Sequence, residues 1–219
     1  MVSLSRRSFL RASTAVATAA VVGVGSLMPS PSQAATQLIA WDKAVPPADY
    51  PERVIGKVDA PVTIIEYSSL TCGHCATFHN EVLPMVKEKL LDTGKARLVV
   101  RDFPLDQYAF AAALIARRAP KESYEGLVAT YFAQQHVWIR SEKPVDTLKQ
   151  YALLSGMSVQ DVEAALKDDA LFQAIRQVQI SAGSAYGIKA TPTFVVEGKV
   201  VEGVQSFDTL KAMVEATKK

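Results

Sequence analysis

Cysteine is the scarcest reactive residue in this chain: 219 residues hold only two, Cys72 and Cys75. One close-spaced pair cannot staple a small fold, so no structural disulfide framework exists and stability must come from a packed core. Histidine is nearly as sparse, with His74, His79 and His136. A zinc centre built on the two thiols needs two further ligands. Only His79, one helical turn beyond Cys75, and the distant His136 are available, because His74 lies between the cysteines. Covalent haem attachment needs a histidine directly after the second cysteine, and Ala76 stands there. No run of Lys or Arg forms a basic patch, which removes the electrostatic case for nucleic-acid binding. Internal repeats and low-complexity stretches are also absent beyond the N-terminal segment.

Hydrophobic residues make up 49% of the chain and charged residues 21%, the balance of a globular core with a solvated surface. The length suits one domain of ordinary size or two very small ones. Residues 1–34 read as an export signal. Ser5-Arg6-Arg7-Ser8-Phe9-Leu10-Arg11 is followed by an Ala/Val/Thr/Gly-rich stretch from Ala12 to Met28 and then by small residues ending at Ala34 and Ala35. The arginine pair is similar to the bacterial twin-arginine signal. The apolar stretch is short and mild for a membrane span, which needs about 20 residues. Without Arg6, Arg7 and Arg11 the 24 basic residues become 21 against 22 acidic ones, a mature charge near −1. An exported protein meets conditions in which disulfides persist, so a lone close pair reads as a working one.

Thr36 to Val54, with Trp41, Tyr50 and Pro46-Pro47, reads as a lead-in arm packed across the domain. Val62-Thr63-Ile64-Ile65-Glu66-Tyr67 is a strand of nearly unbroken apolar residues, as expected when both faces are covered. A helix follows from about Cys72 to Leu91, with a kink expected at Pro84. Thr93-Gly94 ends it, and Ala96 to Arg101 forms the second strand. Leu105 to Tyr186 is helical pattern throughout. Asp106 caps its first helix, which Pro120 closes, and a second covers Glu122 to Gln135. Pro144 sits in a first turn, Ser158-Val159-Gln160-Asp161 resembles a capping box, and Gly183 and Gly187 punctuate the last helix. Thr193–Val196 and Lys199–Glu202 form a hairpin about Glu197-Gly198, and Ser206 or Asp208 caps a terminal helix.

The chemistry gathers at Cys72-Gly73-His74-Cys75, between a buried-type strand and the helix it opens. Two sulfurs at this spacing on a first helical turn reach disulfide geometry. Free backbone N–H groups and the helix dipole favour a thiolate at Cys72, and a protonated His74 would add to that. A stabilised thiolate stabilises the dithiol form, which makes the disulfide more oxidising. Cys72 is therefore the attacking nucleophile and Cys75 the resolving thiol. Glu66 is an acid within an apolar strand, six positions before Cys72. His79, His136 and the tryptophans need no role beyond surface or core. Tyr124, Tyr131, Phe132 and Trp138 read as core of the helical block.

Gly56-Lys57-Val58-Asp59-Ala60-Pro61-Val62-Thr63-Ile64-Ile65-Glu66-Tyr67-Ser68 followed by Thr71-Cys72-Gly73-His74-Cys75 resembles the DsbA family of thioredoxin-like proteins. The resemblance continues through Val100-Arg101-Asp102-Phe103-Pro104-Leu105 to Gly187-Ile188-Lys189-Ala190-Thr191-Pro192-Thr193-Phe194. It implies an α/β thioredoxin-like fold with an inserted all-helical domain, residues 35–104 and 187–219 forming the thioredoxin unit and 105–186 the insertion. It implies a cis Thr191–Pro192 bond facing the cysteines, with a main-chain edge for substrate backbone. It also implies that Glu66 moves protons for Cys75, and that no cofactor or metal is needed. The expected activity is introduction of disulfides into unfolded, cysteine-containing exported proteins, in the periplasm, with reoxidation by a DsbB-like membrane partner and a monomeric enzyme. Gly73-His74 resembles the dipeptide of protein disulfide isomerase instead of the family's Pro-His, and Thr191 likewise stands where typical members have valine. Isomerase or reductase activity therefore stays open. A metal carrier using both thiols and an inert thioredoxin-like binding module are the readings from other classes.

Overall fold

The computed structural model describes residues 41–217. The export signal expected over residues 1–34 and the beginning of the lead-in expected from Thr36 lie outside the described residues.

Five strands form one mixed sheet: β1 (Arg53–Ile55), β2 (Thr63–Ser68), β3 (Arg97–Asp102), β4 (Thr193–Val196) and β5 (Lys199–Glu202). Their spatial order is β1-β3-β2-β4-β5. Central β2 runs parallel to β3 and antiparallel to β4, with Glu66 between Val100 and Phe194. All six residues of β2 are buried, as its β-branched run requires. Alternation sorts the side chains: Ile64, Leu98, Val100, Phe194 and Val196 share one face, Ile65, Tyr67, Val99 and Val195 the other. Glu66 falls on the Ile64 face by this period.

That face is covered by α1, which runs over residues 73–91 as segments Gly73–Thr77, Phe78–Val82, Leu83–Val86 and Lys87–Leu91. The expected kink at Pro84 takes the form of a widened turn. The Leu83 N–H reaches back five residues to the Phe78 carbonyl, making Phe78–Val82 π-helical. Pro84 has no N–H and its ring crowds the preceding turn, so the chain loosens there and the helix continues. A second widened turn, Lys87–Leu91, has no cause visible in the sequence.

Six helices lie between β3 and β4: α2 (Gln107–Arg118), α3 (Lys121–Ala133), α4 (Gln135–Trp138), α5 (Pro144–Leu154), α6 (Val159–Leu166) and α7 (Asp169–Tyr186). The caps are local. Asp106 accepts from the Tyr108 and Ala109 N–H groups, and Ser158 accepts from Asp161 N while donating to its carboxylate. The helix expected over Glu122 to Gln135 is split at Gln134, so α3 ends at Ala133 and a short α4 turns away. Tyr124, Leu127, Tyr131, Phe132, Trp138 and Leu148 form the block's core, to which Leu70 and Cys75 also belong. Helix α7 returns across the second face of the sheet through Ile175, Val178 and Ala182 and ends at Gly187, whose φ of 69° a glycine adopts freely. Helix α8 (Phe207–Ala216), capped by Ser206 and not Asp208, completes the first face.

The lead-in differs from expectation in holding a strand. β1 pairs antiparallel with β3, and its three residues are too few to show a period. Long-range ion pairs hold the arm down. Arg101, fully buried on β3, meets Glu52 at 2.6 Å and Asp42 at 2.7 Å, and donates to Tyr67 Oη and the Ala44 carbonyl. Burial opposes its charge, but the Glu52 carboxylate beside it outweighs that and raises the pKa. Arg117 on α2 reaches Asp102 at 2.6 Å and the carbonyls of Pro51 and Val100. Truncating one side of such a buried pair strands the other. Arg101→Met is expected to cost about 3–5 kcal/mol in denaturant unfolding. A loss below about 1 kcal/mol would mean that the arm is held by apolar contacts alone.

Candidate active site

Cys72 occupies the N-cap of α1 with extended backbone (φ −79°, ψ 120°), so the first amides of the helix point past its sulfur. Its N–H donates to Ser69 O and its carbonyl takes the Ala76 N–H, both at 3.1 Å. Cys72 is partly exposed, Cys75 fully buried, and both are free thiols. The Cys75 S–H donates to the Cys72 sulfur, and this contact does most to lower the Cys72 pKa, against an opposing effect of burial. The Thr191 side chain and the Cys75 and His74 amides act in the same direction, and the value falls to about 5. Burial drives Cys75 the other way, reinforced by its bond to Cys72 and by the charge of Glu66. One sulfur is thus a thiolate at neutral pH and the other a protonated thiol.

His74 acts at Cys72 through its backbone N–H, and its ring is exposed. A Cβ at Gly73 would meet no atom within 4 Å, so glycine is not sterically required and the approach over the motif is open. The Thr191–Pro192 peptide is cis, and the Cys72 Sγ lies 3.2 Å from the Thr191 carbonyl. The Pro192 carbonyl already accepts the Gly203 N–H at 2.8 Å, so Thr191 supplies what main-chain edge remains. That edge is narrow, because both residues are buried. Thr191 Oγ1 is buried without a geometric partner among the described residues, which leaves its hydroxyl free to turn toward the sulfur.

Glu66 is wholly buried beneath α1. Its two carboxylate oxygens lie 3.1 and 2.9 Å from His79 Nε2. Reading His79 as a residue without a role overlooked this pair; its position four residues after Cys75, on the same helical face and above an acidic strand residue, was the available signal. Gln135 was also overlooked. From the start of α4 its amide donates to the carbonyls of Leu70 at 2.9 Å and Cys72 at 3.0 Å, tying the helical block to the cysteine loop. No pattern in the sequence marks it. His136 lies outside this group, and among the described residues no cluster of three or more His, Cys, Asp or Glu could hold a metal ion.

The thiolate is directly measurable. Alkylation of the dithiol protein is expected to follow a titration centred near about 5. The folded value lies below the ordinary 9.0, so the stability this thiolate lends is complete above that pH and lost as pH falls through about 5. Cys75→Ala, which removes the strongest donor, is expected to raise the midpoint most, and Thr191→Val to raise it less. A wild-type midpoint near the ordinary thiol value would contradict the geometry.

A sequence profile of a thioredoxin family matches residues 49–216. A Rickettsia conorii protein named, provisionally, a protein-disulfide oxidoreductase is 31% identical over 165 residues, covering 75% of this chain and 59% of its own length. The chain thus spans about three-fifths of that curated relative. The crystal structure of Wolbachia pipientis α-DsbA1 superposes with a TM-score of 0.71 at 26% identity, over 80% of this chain and 95% of that one. A Novosphingobium aromaticivorans structure described as a protein-disulfide isomerase shares the fold at 21% identity, TM-score 0.65, over 76% of this chain and 96% of that one. The chain belongs to the thioredoxin family, in the DsbA-like branch whose thioredoxin fold carries an inserted helical domain.

Proposed function

We propose that this protein introduces disulfide bonds into exported proteins through a mixed disulfide at Cys72. The observation that carries the reading is the unequal placement of the two sulfurs: Cys72 is partly exposed at the N-cap of α1 and Cys75 is fully buried, which lowers the pKa of the first to about 5 and raises that of the second. A substrate thiolate attacks Cys72 Sγ of the oxidised pair. The S–S bond breaks, its electrons leave on Cys75, and a substrate–Cys72 disulfide forms. A second substrate thiolate then attacks the substrate sulfur of that bond, releasing Cys72 as the thiolate that its surroundings favour. The substrate gains a disulfide and the enzyme becomes a dithiol.

Thr191 and Pro192 would present main chain to the substrate beside Cys72, a limited form of strand addition. Glu66 would exchange the proton that Cys75 gains or loses. In this reading residues 35–104 and 187–219 form the catalytic unit and 105–186 the insertion. Arg6-Arg7 and the small residues up to Ala34 support export to the periplasm, and a DsbB-like membrane protein would restore the disulfide of the monomeric enzyme. No helix among the described residues is long and apolar enough to cross a membrane. Isomerase activity is the second reading, favoured by Gly73-His74 and by the Thr191 hydroxyl near Cys72.

Oxidised protein mixed with a reduced, unfolded, multi-cysteine protein is expected to transfer its disulfide stoichiometrically. Cys75→Ala, loaded at Cys72 as a glutathione mixed disulfide and presented with a single-cysteine version of the substrate, is expected to accumulate a reducible adduct at Cys72; Cys72→Ser forms none. Absence of both transfer and adduct would refute the enzymatic reading. Faster rescue of a scrambled substrate than oxidation of a reduced one would favour the isomerase.

A further inference from the structure

The reaction proposed above leaves a proton unaccounted for. Cys75 departs as a thiolate into an apolar interior, where its charge is strongly disfavoured. Glu66 lies close enough for its charge to act on that sulfur, but Glu66 is itself wholly buried. A buried carboxyl that gives up a proton must be resupplied, and its hydrogen-bond partner among the described residues is His79.

His79 has one side to the pair and one to a cavity. Its Nε2 faces both Glu66 oxygens, and its ring is held by Phe132, stacked at 4.1 Å, and by the edge of Phe78 at 5.5 Å. The ring also lines a cavity of about 200 Å³ between α1 and α3, bordered by Pro84, Lys87, Tyr124 and Glu125. The mouth carries the Lys87–Glu125 ion pair at 3.3 Å, with both side chains substantially exposed. The widened helical turn Phe78–Val82 contains His79, so the loosening that Pro84 imposes falls at this wall. A cavity of this size with polar groups on its lining has room for water.

We propose that His79 is the positioning residue that hands protons between Glu66 and water in this cavity, making the Glu66–His79 pair the proton store for Cys75. The inference rests on the assignment of Cys72 and Cys75 as the exchanging pair. When the S–S bond breaks, Cys75 Sγ gains a proton supplied by the Glu66 carboxyl through one bridging water, since the carboxyl acts on that sulfur by charge and not by a direct hydrogen bond. The carboxylate left behind accepts the Nε2 proton of His79 as Nδ1 takes one from water. One proton leaves the pair for each Cys75 thiol formed, and one enters from solvent. In the reverse direction each transfer runs backward through the same atoms.

Glu66 from β2 faces His79 Nε2, and Lys87 from α1 with Tyr124 and Glu125 from α3 line the cavity that the ring borders. Burial pushes Tyr124 up to about 12, so its phenol stays protonated and is no alternative relay near neutrality. Lys87 and Glu125 are engaged with each other at the mouth. Glu66 and His79 therefore remain as the hydrogen-bonded pair that links this cavity to the interior.

The test is stopped-flow reduction of the oxidised protein by dithiothreitol, from about pH 5 to about pH 9, in H₂O and in D₂O. Rates are expressed per dithiothreitol thiolate, which removes the reagent's own titration. The unaltered protein is expected to show a pH-dependent rate with a solvent isotope effect. His79→Gln keeps a side-chain donor but carries no titrating proton. It is expected to lose the pH dependence and the isotope effect, and to be slower by about tenfold to a hundredfold at the acidic end. A variant that retains the wild-type profile and isotope effect overturns the proposal, however much stability it loses. If the variant does not fold, the imidazole Cε1 proton of His79 in the unaltered protein gives the readout by NMR. Its titration midpoint is expected to differ between disulfide and dithiol forms; identical midpoints overturn the proposal. Alkylation of Cys72 in His79→Gln is expected to be unchanged. Failure of the unaltered protein to exchange with dithiothreitol at all would count against the parent reading instead.

Discussion

The seating of α1 on the sheet governs everything that follows from the two cysteines. Cys72 lies at the last point before helical backbone begins, where amide N–H groups have no carbonyl to meet. Cys75, three residues on, is carried inward by the same helical turn until no solvent touches it. One turn of helix thus places two chemically identical thiols on opposite sides of an electrostatic boundary. The outer sulfur gains donors when it is charged, and the inner one loses hydration. The inner thiol also serves the outer, because its S–H is the strongest single donor to Cys72.

This arrangement needs support from every side, and the rest of the fold provides it. β2 is buried over its whole length between β3 and β4 and fixes where α1 begins. The cis Thr191–Pro192 peptide at the entry to β4 places the Thr191 carbonyl 3.2 Å from the Cys72 sulfur, where it accepts from the S–H when Cys72 is protonated. The helical block contributes from above: its apolar core takes in Cys75 and Leu70, while Gln135 holds two carbonyls of the cysteine loop. On the far edge, Arg101 clamps the lead-in arm over β3 through its ion pair with Glu52, 49 positions away, and Arg117 donates to the Pro51 carbonyl, 66 positions away. A helical insertion that packs directly on the CxxC turn ties the environment of Cys75 to the integrity of the whole block.

Features encoded by neighbours in sequence were legible, and features made by distant partners were not. The β-branched run of β2, the caps at Asp106, Ser158 and Ser206, and the hairpin turn at Glu197-Gly198 are local devices, and all occur. Both turn residues of that hairpin have positive φ, 46° and 81°, the mirror-image geometry that two-residue hairpins use. β1 was missed because three residues show no alternation until β3 is there to pair with them. The buried arginines were missed for a similar reason, since Arg101 reads as a surface charge until Glu52 and Asp42 are folded onto it. Within the candidate site, the motif spacing located the sulfurs, and the resemblance located Glu66 and Thr191–Pro192. His79 escaped because its meaning depends on a carboxylate 13 positions away on another element.

If the unequal surroundings of the two sulfurs govern the couple, the Cys72–Cys75 disulfide is a strong oxidant. The most direct measurement is its reduction potential, obtained by equilibrating the protein in glutathione buffers of graded ratio. A value between about −180 and about −120 mV is expected, in the range of proteins that donate disulfides. A value near about −270 mV, where thioredoxin lies, would contradict it, because such a couple gives up electrons and does not supply disulfides.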